Sequence, residues 1–357
     1  MQLNTMDVGL LAVLAAVLAG PFLHKKIEHN LEAFLLAMGI AAVTISARWD
    51  LHLLEEAATE PVIKGIVPAV LVAGLLFHYG QRHVEGGMHG ILRVVPLKVL
   101  VFLFIVLLGL LSSAITAIVA SLLLVEGLNV LPLEPKGKIP VVVMACFAIG
   151  LGASLTPVGE PLTTITLSKL QGEPYHAGFW FFFEHLALYV VPGVLAFGLL
   201  ALPFTKRAPA KEAALARAAQ GAASGHADAG MKEVFIRGLK VYLFIVALVF
   251  LGAGFQVLID KYLVHVSAKP LYWINMSSAV LDNATLAAAE ISPRMSLEQI
   301  KTALMGLLVS GGMLIPGNIP NIISASKLGI TSREWAKVGV PVGLVAMVVY
   351  FIWLEVL

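Results

Sequence analysis

Two carboxylates stand where an apolar, membrane-length sequence has no ordinary use for them. Glu160 lies in Thr156-Pro-Val-Gly-Glu160-Pro161, and Asp282 lies in Ser278-Ala-Val-Leu-Asp282-Asn-Ala-Thr285. An ionised carboxylate at the centre of a membrane helix costs about 2.5–3.5 kcal/mol on insertion scales. Such a group needs a cation, a proton or water beside it. Burial favours its protonated form and a bound cation its ionised form, so both acids suit the exchange of a proton for a metal ion.

Neutral oxygen donors accompany them. Ser277, Ser278, Asn283 and Thr285 flank Asp282; Thr156 flanks Glu160, with Ser154 and Thr163 as secondary candidates. Asn318 and Asn321 belong to a second polar stretch, and Ser112, Ser113 and Thr116 to a third. Hydroxyl, amide and carboxylate oxygens match a hard cation, whereas a soft metal calls for Cys or a His cluster. Any one of these Ser or Thr hydroxyls is more ordinarily a partner for a helix carbonyl. Their coincidence with helix-breaking residues is what singles them out.

The elements that must position these groups come in two copies. Gly152-Ala-Ser-Leu-Thr-Pro157-Val-Gly-Glu-Pro161 and Gly311-Gly-Met-Leu-Ile-Pro316-Gly-Asn-Ile-Pro320 share the spacing of one Gly and two Pro. Each follows a Ser-Ser-Ala element, at Ser112–Ala114 and Ser277–Ala279. A proline removes a backbone donor and clashes with the preceding turn. Freed backbone at membrane depth is tolerated only where it is buried in protein or lines a cavity. A motif pair repeated in order in both halves is a common build for secondary transporters.

Composition agrees with a membrane location. Of 357 residues 59% are hydrophobic and 13% charged, against about a quarter charged in a soluble domain. A crossing helix needs about 20 mostly apolar residues, which predicts continuous spans over 7–23, 31–47, 65–79, 178–204, 234–260 and 333–357. The first of these lacks a preceding Lys or Arg and reads as a retained span rather than a cleaved leader. The acidic stretch 49–64 reads as an external amphipathic or loop segment.

Reading the Ser-Ser-Ala elements as tips of re-entrant hairpins predicts an all-α polytopic membrane protein with inverted-topology repeats. Residues 1–64 are then N-terminal scaffold helices. Residues 65–204 form the first repeat, with a hairpin at about 97–127 and a broken helix at about 140–170. A cytoplasmic linker covers 205–232. The second repeat covers 233–357, with a hairpin at about 270–292 and a broken helix at about 297–328.

Of the 24 Lys and Arg, this threading puts Arg48, Lys64, Lys169, Lys261, Lys269, Arg294 and Lys301 on the N-terminal side and the rest opposite. The positive-inside rule then places both termini on the non-cytoplasmic side of the cytoplasmic membrane.

Thr156 to Thr164 and Ser278 to Thr285 resemble signature segments of the ion transporter superfamily, most of all its sodium/proton antiporters of the NhaD and NhaE type. The resemblance implies inverted repeats, each with a re-entrant hairpin and an unwound helix, whose polar tips hold sodium and substrate. Carried onto this sequence, it assigns Ser277, Ser278, Asp282, Asn283 and Thr285 to a hairpin tip. Thr156, Gly159 and Glu160 fall to one unwound helix, and Asn318 and Asn321 to the other. The first hairpin, Ser-Ser-Ala-Ile-Thr-Ala, lacks the Asp-Asn of the second, so two equivalent ion sites do not follow.

The function expected is exchange of a monovalent cation, sodium, for protons, with Asp282 and Glu160 as the acids that contact the metal ion. The alternative is sodium-coupled transport of a small organic anion such as a dicarboxylate, since helix N-termini at breaks hold carboxylates. Enzymatic activity is not expected: Ser154 with His185 is the only conceivable nucleophile–base pair, and nothing orients a third partner. No phosphate loop of Walker type is present. Expected partners are membrane lipids, sodium and protons, with a homodimer possible. No nucleic acid and no cofactor beyond the transported sodium are expected. The single Cys146 excludes a disulfide framework and suits packing.

Overall fold

Apolar segments in lipid must satisfy their own backbone groups, and the chain does so with helices. The computed structural model describes residues 4–23, 27, 30–63, 95–208, 227–262, 266–281 and 283–356. The expected span 65–79, most of the linker (209–226) and Asp282 lie outside the described residues. Among the described residues every regular element is helical, and β pairing is limited to one bridge between Leu133 and Arg207. The protein is all-α and built for a membrane.

Three N-terminal helices, α1 (Thr5–Leu23), α2 (Leu31–Ser46) and α3 (Leu51–Ile63), precede the two broken regions. The α3 segment is the expected amphipathic piece; the Asp50 side chain caps the Leu53 amide at 2.6 Å, and Leu53 and Ala57 pack with Val43 and Phe250. Helices α4 (Leu97–Ile115), α5 (Ala117–Val130), α6 (Pro135–Ala153) and α7 (Pro161–Leu170) follow, then α8 (Phe181–Leu200) and the long α9 (Ala227–Tyr262). Residues 227–232, expected in the linker, are helical. The last part comprises α10 (Ala268–Ile274), α11 (Asn283–Glu290), α12 (Leu297–Gly311), α13 (Ile319–Leu328) and α14 (Ser332–Val356).

Four of the described stretches are long and apolar enough to cross a membrane: 97–115, 135–153, 181–204 and 332–356. Their surroundings differ. Of the apolar window in α6, 78% is buried within the protein, against 33% for α4 and 28% for α14. On α4, Val99, Leu103, Leu107 and Leu111 recur every four residues and are exposed, while Val101, Ile105, Leu108 and Ser112 are buried. A helix that is apolar all round yet buried on one side only presents the other to lipid. Helix α6 is instead the core, matched by α12, which is buried from Thr302 to Gly311.

Helices α4 and α5 double back on each other at Thr116: the Phe104 ring packs so tightly on Gly127 that a Cβ there would overlap it. The turn comes after Ser112–Ala114, where the sequence placed the tip. The reason is local, since Ser112 and Ser113 bond the carbonyls of Gly109 and Leu110 at 2.6 and 2.8 Å and stay helical. In the later region Asn275–Ala279 form a 3₁₀ turn between α10 and α11. Helix α6 begins at Pro135, earlier than expected, because a proline pre-sets the first helical turn.

Asp7, fully buried at the start of α1, accepts from Lys261 at 2.5 Å and Tyr262 at 2.8 Å. This places the beginning of α1 beside the end of α9.

Candidate functional site

Both core helices stop at the polar stretches, and a new helix starts from extended backbone beyond each. Helix α6 ends at Ala153 and α7 begins at Pro161; α12 ends at Gly311, a short 3₁₀ turn covers Ile315–Gly317, and α13 begins at Ile319. The residues capping the restarts share one extended geometry: Glu160 has φ −155 and ψ 159, and Asn318 has φ −154 and ψ 147. Proline follows at the first or second helical position in each, where its missing N–H costs nothing. Glu160 and Asn318 are therefore counterparts, one residue out of register with the proline alignment read from sequence.

Small residues let the breaks close. A Cβ on Gly159 would collide with the Ala153 carbonyl, and one on Gly317 would lie 2.5 Å from the Gly311 carbonyl and 2.6 Å from that of Ser278. A Cβ on Gly150 would lie 2.7 Å from Asn318 Nδ2, so the asparagine of one break rests directly on the broken helix of the other.

A cavity of about 260 Å³ opens at this junction. Thr116, Ala117 and Ile118 line it from the start of α5; Val158, Gly159, Glu160, Pro161, Thr164 and Ile165 from the α7 restart; Asn283 from the start of α11; and Asn318 and Ile319 from the start of α13. At about 30 Å³ per water, the space suits a cation with part of its hydration shell or a small organic ion. Glu160 is 5% exposed, Asn283 3% and Asn318 4%, so the polar groups at the cavity are withdrawn from the protein surface.

Thr116 holds a backbone conformation, φ 73 and ψ 150, that a β-branched residue rarely adopts. Its hydroxyl accepts from the Val119 amide at 3.4 Å, and the Ala117 amide donates to the Gly159 carbonyl at 2.8 Å. That bond ties the tip of the α4–α5 hairpin to the α6–α7 break.

The other expected residues divide by task. Ser112 donates to Gly109 and, at 3.0 Å, to Ile149; Ser113 donates to Leu110; Ser154 donates to Leu151 at 2.6 Å. Thr156 donates to the Ser113 carbonyl at 2.5 Å, and Thr163 to the carbonyls of Thr156 and Glu160, both at 2.9 Å. Ser278 donates to Leu307 at 3.2 Å. These hydroxyls are taken up by backbone carbonyls, and none of them lines the cavity. Asn321 bridges its break, with Nδ2 donating to Gly311 and Leu314 at 2.8 Å each.

Ser277 Oγ and Asn283 Nδ2 are buried with no hydrogen-bond partner among the described residues. Thr285 falls in the first turn of α11. The cavity thus gathers Glu160, Asn283, Asn318 and Thr116 from the expected set, and adds Thr164, whose hydroxyl donates to Pro157 at 2.5 Å.

Three further residues settle into packing or ion pairing. His185 stands edge-on to Phe181 with centroids 4.6 Å apart, and Cys146 contacts Ser324 Oγ at 3.3 Å. Lys327 pairs with Glu126 at 3.0 Å with only 7% of its side chain exposed. Sequence reasoning missed Glu290, which is 5% exposed at the end of α11. Its position at the margin of an apolar run concealed it, although an acid two helical turns from Asn283 shares that residue's face.

A family model described as a protein of unknown function, DUF1646, matches residues 7–357. The chain belongs to the DUF1646 family. No curated protein matches the sequence. Among the described residues no group of three or more His, Cys, Asp or Glu is arranged to hold a metal.

Proposed function

We propose that the protein is a secondary active transporter that exchanges a monovalent cation, sodium, for protons across the cytoplasmic membrane. In this reading the α4–α5 and α10–α11 pairs are re-entrant hairpins, the α6–α7 and α12–α13 pairs are unwound helices, and the two halves are inverted copies. Both termini lie on the non-cytoplasmic side. The observation that carries the reading is Glu160: a buried carboxylate lining a closed-in cavity where four helix starts meet, flanked by the amides of Asn283 and Asn318.

A carboxylate there is stabilised by the positive ends of four helices. It still offers oxygen to a cation, and a proton competes for the same oxygen. Asp282, directly before Asn283 in sequence, is the second acid of the mechanism. Cation and proton alternate on this pair while the halves rock about the cavity.

The test is flux in vesicles holding the purified protein under an imposed pH gradient. Glu160→Gln and Asp282→Asn should each abolish proton-coupled sodium movement; wild-type exchange in both would reject the reading. Apparent sodium affinity should weaken as pH falls, since protonation removes the carboxylate ligand. A flat response between about pH 5 and 9, bracketing the acids' exchange range, would count equally against it.

One observation favours a second reading. The four helix starts at the cavity present N–H groups, while hydroxyls and the Asn321 amide occupy carbonyls behind it. Helix N-termini bind carboxylates, so a small organic anion carried with sodium is the alternative. Uptake of a dicarboxylate driven by a sodium gradient, with no proton movement, would select it.

A further inference from the structure

Helix α11 has a polar group at each end. Asn283 faces the cavity; Glu290, seven residues on, lies about 10 Å farther along the axis on nearly the same side and outside the cavity lining. Its carboxyl is 5% exposed, and neither oxygen has a hydrogen-bond partner among the described residues. The polar side chain beside it is Asn275, from the 3₁₀ turn before α11. Asn275 Nδ2 donates to the Ala303 carbonyl at 3.2 Å, and its Oδ1 is also buried with no partner among the described residues.

Two acceptors, neither with a donor among the described residues, lie together in the interior. A charge left unpaired there is strongly disfavoured, and so is an unsatisfied amide oxygen. One proton answers both, because a carboxylic acid O–H on Glu290 has Asn275 Oδ1 as its acceptor.

The charged groups on the packed elements narrow the alternatives. From α7, Lys169 Nζ donates to the Ile291 carbonyl at 3.3 Å, one residue past Glu290. On α12, Lys301 lies over the Tyr189 ring and Glu298 faces outward. On α9, Lys261 is engaged by Asp7. Lys169 is the cation positioned to reach Glu290.

One pair of this kind joins the two halves: Lys327, in the last turn of α13, bonds Glu126 in the returning arm α5. Lys169 and Glu290 occupy the corresponding places, in the last turn of α7 and at the end of the returning arm α11.

We propose that Glu290 is a proton-binding site separate from the central cavity. Protonated, it donates to Asn275; deprotonated, it takes Lys169 as an ion-pair partner, as Glu126 takes Lys327. The proposal rests on reading the two halves as related copies, and it gives the carrier a second station for protons on the hairpin that bears Asp282.

Infrared spectroscopy of the full-length protein through a pH titration tests this directly. The expected result is a protonated-carboxyl band at neutral pH that Glu290→Gln removes and Glu160→Gln leaves. Asn275→Ala should move that band to higher wavenumber by removing its acceptor. Lys169→Met should make it persist to higher pH by removing the cation that favours the carboxylate. An undiminished band in Glu290→Gln would overturn the proposal, as would an unmoved one in Asn275→Ala. Should Glu290→Gln fail to fold, the other two variants retain the acid and decide alone. A band lost in Glu290→Gln from a protein that exchanges no sodium for protons would sink the antiport reading and leave this site standing. Intact antiport with no Glu290 band would do the reverse.

Discussion

The two helix breaks share a backbone and differ in chemistry. Each restarts from an extended residue followed closely by proline, yet one of those residues is Glu160 and the other Asn318. The hairpin tips diverge as well: one turns on a strained Thr116, the other on a 3₁₀ segment leading to Asn283. The difference teaches that the geometry of a broken helix and the charge it presents are separable. One break brings a carboxyl group to the cavity and the other a neutral amide, so in the proposed exchange a cation would meet an acid on one side and neutral donors on the other.

The largest effect expected from breaking this division is at the acid. Glu160→Gln makes both restarts neutral and should abolish proton-coupled flux, whereas Asn318→Ala should leave coupling intact. Flux ratios of proton to cation in the two variants measure the contrast, and equal loss of coupling in both would erase it.

The lysines that end α13 and α7 give the next largest. Glu126→Gln strands Lys327, whose side chain is 7% exposed, and breaking a buried pair from one side costs about 3–5 kcal/mol. Thermal unfolding in detergent should show a marked fall, partly recovered in the double variant Glu126→Lys with Lys327→Glu. Lys169→Met, which removes among others the bond to the Ile291 carbonyl, should cost about 1 kcal/mol or more.

For Asn318→Ala itself, loss of one neutral ligand contact should weaken apparent cation affinity roughly tenfold, about 1.4 kcal/mol, in equilibrium binding. The smallest effect is at the hairpin tip. Thr116→Gly relieves a positive φ worth about 1 kcal/mol or more and loses only a long 3.4 Å cap. The thermal midpoint should hold or rise, and a clear fall would show that the tip is not strained.

Much of this arrangement was legible in the residues. Membrane-length apolar runs and the two Gly–Pro–Pro stretches mark the spans and the breaks, because proline cannot continue a helix whatever surrounds it. Glu160, Asn283 and Asn318 stand out as polar groups inside apolar sequence, and they meet at the cavity. The exact turning points were not legible: Ser112 and Ser113 remain helical by bonding carbonyls one turn back, and the reversal waits for Thr116. The roles of the hydroxyls were divided by tertiary contacts such as Thr156 to Ser113, which no local pattern encodes. The register slip that pairs Glu160 with Asn318 arises because proline is accepted at either of the first two helical positions. Glu290 escaped notice because an acid at the edge of an apolar run ordinarily meets water, and only the packing around α11 denies it that.

The lone thiol of the chain joins one core helix to the restarted helix of the other break. Cys146 on α6 is buried and touches the Pro320 carbonyl and the Ser324 hydroxyl of α13. An alkylating reagent can reach that sulfur only when those helices part, so the labelling rate of the native chain counts their separations without any engineered probe. Comparing that rate with and without sodium reads out whether the ion locks the crossing or loosens it.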